Sequence, residues 1–147
     1  MITYFYKLAE LFTVNPLAQS VGLLALVIGI LTFAQHSDHR LRLFLTLFSA
    51  LIGAHFFLLG GSTAAFSAWL SGVRAFVSTR TRHVAVMLFF VGLVWLIGIP
   101  NITRPVQCLP VIGTTLGTWA LFREQGVRMR VIIWLSTVCW MTHNYAI

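Results

Sequence analysis

The stretch Pro16 to Ala34, PLAQSVGLLALVIGILTFA, carries no charged side chain. Its length is close to the ~20 residues that a helix needs to cross the hydrocarbon core of a bilayer. Asn15-Pro16 opens it well, because the N–H that proline lacks has no partner in the first turn of a helix anyway. Five more apolar segments follow. They run from Leu41 to Gly60, Ser62 to Thr79, His83 to Ile99, Pro105 to Phe122 and Met129 to Ile147. Gly60-Gly61 closes the second segment and Pro100-Asn101 the fourth. The connections are short, so the pattern predicts an all-α membrane protein with six transmembrane helices in one bundle.

Composition agrees. Apolar residues make up 59% of the 147 positions and charged residues 9%, against roughly a quarter charged in ordinary soluble domains. The acids are Glu10, Asp38 and Glu124; Lys7 and nine arginines bring the formal net charge to +7. Such a balance signals either nucleic acid or an anionic membrane surface. Here the bases fall between apolar runs, which points to membrane orientation and to no nucleic-acid partner. Arg40, Arg42, Arg80, Arg82, Arg123, Arg128 and Arg130 lie on one side, against Lys7 and Arg104 on the other. This bias predicts a cytoplasmic location for the arginine-bearing connections and an external N-terminus.

Residues 1–14 do not read as a secretory signal. Ile2, Phe5, Ala9 and Phe12 oppose Thr3, Lys7 and Glu10 at helical spacing, the pattern of an amphipathic helix lying at the interface. Cys108 and Cys139 are placed ~12 Å apart in depth, too far for a disulfide, and read as small core residues.

Shifting the chain by 88 positions superposes several polar residues: Gln19 on Gln107, Arg40 on Arg128, Arg42 on Arg130 and His55 on His143, with Gly29 on Gly117. Rare polar residues in membrane helices seldom coincide by chance. The reading is two parallel three-helix repeats, residues 15–82 and 104–147, joined by a linker helix within 83–103. Parallel repeats of this kind occur in the SWEET transporters. The register places a third helix of the second repeat near position 149, so the second repeat is expected to lack it. Asn144 would then face a groove between the last two helices, to be filled by a further helix or by dimerisation. In the third helix, the series Ala64, Ala68, Gly72 and Ser67, Ser71, Ala75 suit close packing on two sides. That predicts a third helix sandwiched between the first two.

The segments Ala50 to Gly60 (ALIGAHFFLLG) and Leu109 to Arg123 (LPVIGTTLGTWALFR), the ending Cys139-Trp140…His143-Asn144, and the run Arg74…Thr79-Arg80-Thr81-Arg82 resemble the bacterial inner-membrane YgjV family. The resemblance covers nearly the whole chain and implies a seven-helix protein of the bacterial inner membrane. In architecture the family looks distantly similar to the SWEET and PQ-loop carriers. The Pro-Gln motif of those carriers is absent: Pro110 lies in the fifth segment, and its counterpart is Gly22.

His55 and His143 are the leading candidates for function. With Gln19, Gln107 and Asn144 they are expected to form a polar layer lining the path of a small solute, with imidazole also able to take a proton near neutral pH. The competing reading is that each histidine bonds a hydroxyl or carbonyl and locks helix packing. Arg74 is the one base inside a span; it either snorkels to the headgroups or attracts anions from a cavity. His36, Asp38 and His39 crowd a loop and lack a fourth metal ligand, so neither a metal nor another cofactor is expected. No acid lies within a span and no nucleophile neighbours a base, which argues against an enzyme. The expected function is small-solute transport, the alternative a non-transporting assembly factor or accessory subunit.

Overall fold

A computed structural model describes residues 15–146, all helix and connection with no strand among them. The expected interfacial helix at 1–14 lies outside the described residues. Six helices follow one another: α1 (Pro16–Ala34), α2 (Asp38–Leu58), α3 (Ser62–Arg80), α4 (Val84–Gly98), α5 (Cys108–Arg123) and α6 (Gly126–Ala146). Two helical turns of 3₁₀ type, Ile99–Asn101 and Pro105–Gln107, fill much of the passage from α4 to α5. They shorten their neighbours, leaving α4 with 15 residues and α5 with 16, below the expected span length. Among the described residues, only α1 and α2 are individually long and apolar enough to cross a membrane by length and composition.

Local chemistry sets the helix ends. The Asn15 Oδ1 accepts the Ala18 N–H at 3.1 Å, with Pro16 in the first turn. α2 ends where Gly60 takes a left-handed φ of 82°. This conformation lets the Gly60 N–H reach Phe57 O at 2.9 Å and the Gly61 N–H reach Phe56 O at 2.8 Å, the paired bonds that close a helix through glycine. α2 and α6 each begin three residues before the apolar runs read from the sequence, because Asp38 and Gly126 already belong to their helices.

The chain divides into two compact units, 1–76 and 77–147. In the first, α1 and α2 pack directly on each other. The seam of α1 is 18-22-25-29-32, steps of four and three that keep one stripe facing a partner. Ala18, Ala25 and Thr32 on it are buried. At Gly22 an added Cβ would lie 2.7 Å from the His55 ring, and at Gly29 3.1 Å from the Phe48 ring. The large side chains of α1 point the other way: Leu17, Leu23, Leu24, Leu26, Val27, Ile30, Leu31 and Phe33 are 41–65% exposed. Small residues inside and large apolar ones outside suit a lipid environment, where helices gain by close van der Waals approach rather than by hiding apolar surface.

The expected sandwich does not form. α3 lies beside α2, not between α1 and α2. Gly72 meets Ser49, where an added Cβ would be 3.2 Å away, and the Trp69 ring sits against Gly53. Trp69 Nε1 donates to Ala50 O at 3.2 Å. The glycines of α1 already admit α2 along its length, which leaves no room for a third helix there. Ala64 and Ser67 near the start of α3 are exposed.

In the second unit, α5 packs on both α4 and α6. Trp95 Nε1 donates to Thr115 Oγ1 at 3.1 Å, and the Phe90 and Phe122 rings lie 6.1 Å apart. On the other side, Gly113 faces α6, where an added Cβ would stand 2.9 Å from Cys139 Cβ and from Ser136 O. α4 belongs to this compact unit, and the division between the two units falls inside α3. Both cysteines are free thiols. Thr32 and Thr118 are buried, and each returns its hydroxyl to the carbonyl four residues earlier, at 2.8 and 2.7 Å, so neither needs a polar neighbour.

The α5–α6 contact yields a direct test. A Gly113→Val substitution forces a side chain against a backbone carbonyl that cannot turn away. It should cost about 1–3 kcal/mol, seen as a lowered midpoint of thermal unfolding in detergent. Gly92 has nothing within 4 Å, and Gly92→Val should leave the midpoint unchanged.

Candidate functional site

The polar residues singled out from the sequence gather at the end of each hairpin where α1 and α5 begin. His55 lies one turn from the end of α2, half-buried. Its Nδ1 donates to Ala18 O at 2.7 Å, across 37 residues of chain. Gly22, one turn further along α1, leaves the space that the ring occupies. His143, also half-buried and near the end of α6, donates Nδ1 to Val106 O at 3.2 Å, again across 37 residues. Donor and acceptor are both displaced by 88 positions between the two bonds.

A carbonyl oxygen only accepts, so Nδ1 carries the proton in both rings. In the neutral imidazole Nε2 is then left as an acceptor. Trp140 stands edge-on to His143 with ring centroids 6.4 Å apart. Phe56 is tilted against His55 at 5.6 Å.

Gln19 and Gln107 are each half-buried beside the carbonyl that the histidine of their own unit engages. Gln107 is fully occupied at its side-chain oxygen. Oε1 accepts from Thr103 N at 2.6 Å, Thr103 Oγ1 at 2.9 Å and Arg104 N at 2.9 Å. It therefore ties the passage before α5 into a turn. In the first unit a different residue does related work: Asn15 caps α1 and donates Nδ2 to Leu58 O at 3.1 Å, closing the end of the α1–α2 hairpin. Asn15 was legible as a helix start, but its reach to Leu58 was not.

Asn144 follows His143 and is exposed. Arg74 does not join this group. It sits twelve residues into α3, ~18 Å along the helix axis from its start, with Nε buried. His36 and His39 are exposed and Asp38 occupies the first turn of α2.

Arg82 has a role that the sequence did not disclose. Its Nε donates to Phe122 O at 3.2 Å and its Nη2 to Glu124 O at 3.0 Å. It thereby satisfies carbonyls at the C-terminus of α5 with a cation, the charge that this end of a helix favours. Beside it, Trp119 Nε1 donates to Glu124 Oε1 at 3.0 Å.

Replacing either histidine by leucine should remove one cross-helix bond, a cost of about 0.5–1.5 kcal/mol. Thermal unfolding in detergent should show similar losses for His55→Leu and His143→Leu. A loss at one and none at the other would show that the two bonds differ in importance.

Comparison with known proteins agrees with the outward-facing apolar helices. A family model described as bacterial inner membrane protein, Imp-YgjV, matches residues 16–147. The inner membrane protein YgjV of Escherichia coli (strain K12) is 46% identical over 129 residues, covering 88% of this chain and 70% of that protein. No solved structure matches. By both the span of the family match and the identity to that relative, the chain belongs to the YgjV family of bacterial inner membrane proteins.

Proposed function

We propose that this inner-membrane protein is a multi-pass carrier for a small polar solute, built from two halves in parallel orientation with the N-terminus outside. The observation that carries the reading is the recurrence of one bond, histidine Nδ1 to a carbonyl 37 residues earlier, at an offset of 88 positions. The helix seams recur at the same offset. Positions 18-22-25-29-32 of α1 correspond to 106-110-113-117-120, where Gly113, Gly117 and Ala120 are buried. In each half the histidine spends Nδ1 on its own hairpin and keeps Nε2 for another partner, a hydrogen-bonding group that a carrier needs at the level of its solute. Intramembrane polar groups are costly and tend to be functional.

Orientation rests on charge, seven bases against two. It is supported by Arg82, whose bonds hold the α3–α4 connection against the end of α5 and so put these two arginine-bearing segments at one end of their unit. No enzymatic chemistry and no cofactor are part of the proposal.

A second reading, a non-transporting assembly factor or accessory subunit, draws on Gln107. Its oxygen is consumed by three local bonds, the mark of a structural residue. Cysteine substitutions at Gln19, His55, Gln107 and His143, probed in native membranes with a membrane-impermeant thiol reagent in a background lacking Cys108 and Cys139, separate the two. The carrier reading expects labelling at His55 and His143; protection at both favours the accessory role. Reporter fusions after Thr81 and Gln125 should both report the cytoplasm, and a periplasmic signal at either would overturn the orientation.

A further inference from the structure

We propose that the arginine-bearing end of the second unit binds the phosphate headgroup of an anionic phospholipid, with an acyl chain lying along the outer face of α6. Arg80, Arg82, Arg123, Arg128 and Arg130 stand at this end with a single acid, Glu124. The two bonds of Arg82 to Phe122 O and Glu124 O draw its connection onto the end of α5, which carries Arg123. Arg130 turns back to Gly126 O at 2.9 Å, while Arg123 and Arg128 are exposed. Glu124 is engaged through Oε1 by Trp119. Arg123 and Arg128 are the charges that this end presents to its surroundings.

The start of α2 shows what is missing at the start of α6. α2 begins with Asp38, two residues before Arg40 and four before Arg42. α6 begins with Gly126, two before Arg128 and four before Arg130, and has no acid in its first turn. A helix N-terminus favours an anion, and the exposed Arg128 beside it is placed to meet negative charge from outside the chain.

Two features point to a lipid as its source. Trp119 is 46% exposed with its indole N–H held by Glu124, the arrangement of an aromatic at the headgroup level. From beside Arg128, the exposed residues Val127, Val131, Trp134 and Val138 run down α6 at steps of four, three and four. A charged head above a continuous apolar stripe matches an amphiphile rather than a free anion. Basic surfaces at the cytoplasmic ends of membrane helices recognise lipid headgroups in this way.

The test uses the full chain in bilayers of phosphatidylcholine doped with brominated phosphatidylglycerol, read by quenching of tryptophan fluorescence. The wild type should show a preference for phosphatidylglycerol over brominated phosphatidylcholine that weakens with added salt. R123Q/R128Q should lower that preference by about thirtyfold at low salt, with unchanged helix content by circular dichroism. R123K/R128K should retain most of it, and R40Q all of it. Undiminished preference in R123Q/R128Q, or an equal loss in R40Q, would overturn the site. Competition by millimolar inorganic phosphate as effective as by the lipid would overturn the lipid as ligand and leave a free-anion site.

Discussion

Lipid offers a helix no hydrogen bonds and no hydrophobic penalty, and most of this structure answers to that constraint. Apolar side chains have little to gain by turning inward when the solvent is itself hydrocarbon, so the association of helices depends on how closely their backbones approach. α1 meets this requirement with a seam of small residues, 18-22-25-29-32, and sends its leucines outward. The missing Cβ at Gly22 and Gly29 is filled by His55 and Phe48 of α2. α5 follows the same rule with Gly113 against Cys139 and Ser136 of α6. Close approach then fixes the polar chemistry. A histidine ring can reach a main-chain carbonyl of the facing helix only where that helix comes near enough.

That dependence also explains why the polar groups sit where they do. Within the hydrocarbon each donor and acceptor must find a partner in the protein. Threonine hydroxyls return to their own helices, as at Thr32 and Thr118. Histidines and asparagine cross between helices near their ends: Asn15 reaches Leu58 O, where the carbonyls of α2 lose their intrahelical partners, and the histidines share carbonyls near the starts of α1 and α5. Asn15 to Leu58 and Arg82 to Phe122 and Glu124 belong to that second group. The ends of the helices therefore hold both the structural ties and the groups proposed to act on solute and lipid.

The place of α3 shows how a correct local signal can mislead. Its small residues were legible and do serve close packing, at Gly72 against Ser49. They did not say which helix would fill the contact. α1 carries small residues of its own, so α2 had a nearer partner, and α3 took the remaining face of α2. In the second unit, Trp95 and Phe90 of α4 engage Thr115 and Phe122 of α5.

By itself the sequence determined the membrane environment, the order of the helices among the described residues and their capped ends at Asn15 and Gly60. These follow from length, charge and local backbone chemistry, which each segment carries alone. Tertiary structure decided which faces meet, that both histidines commit Nδ1 to a neighbouring helix, that Gln107 closes a turn, and that Arg82 caps α5. The physical reason is that a helix apolar on every side gives no periodic contrast between its lipid face and its buried face. In water that contrast identifies the buried side; in lipid only the fit of one backbone against another does.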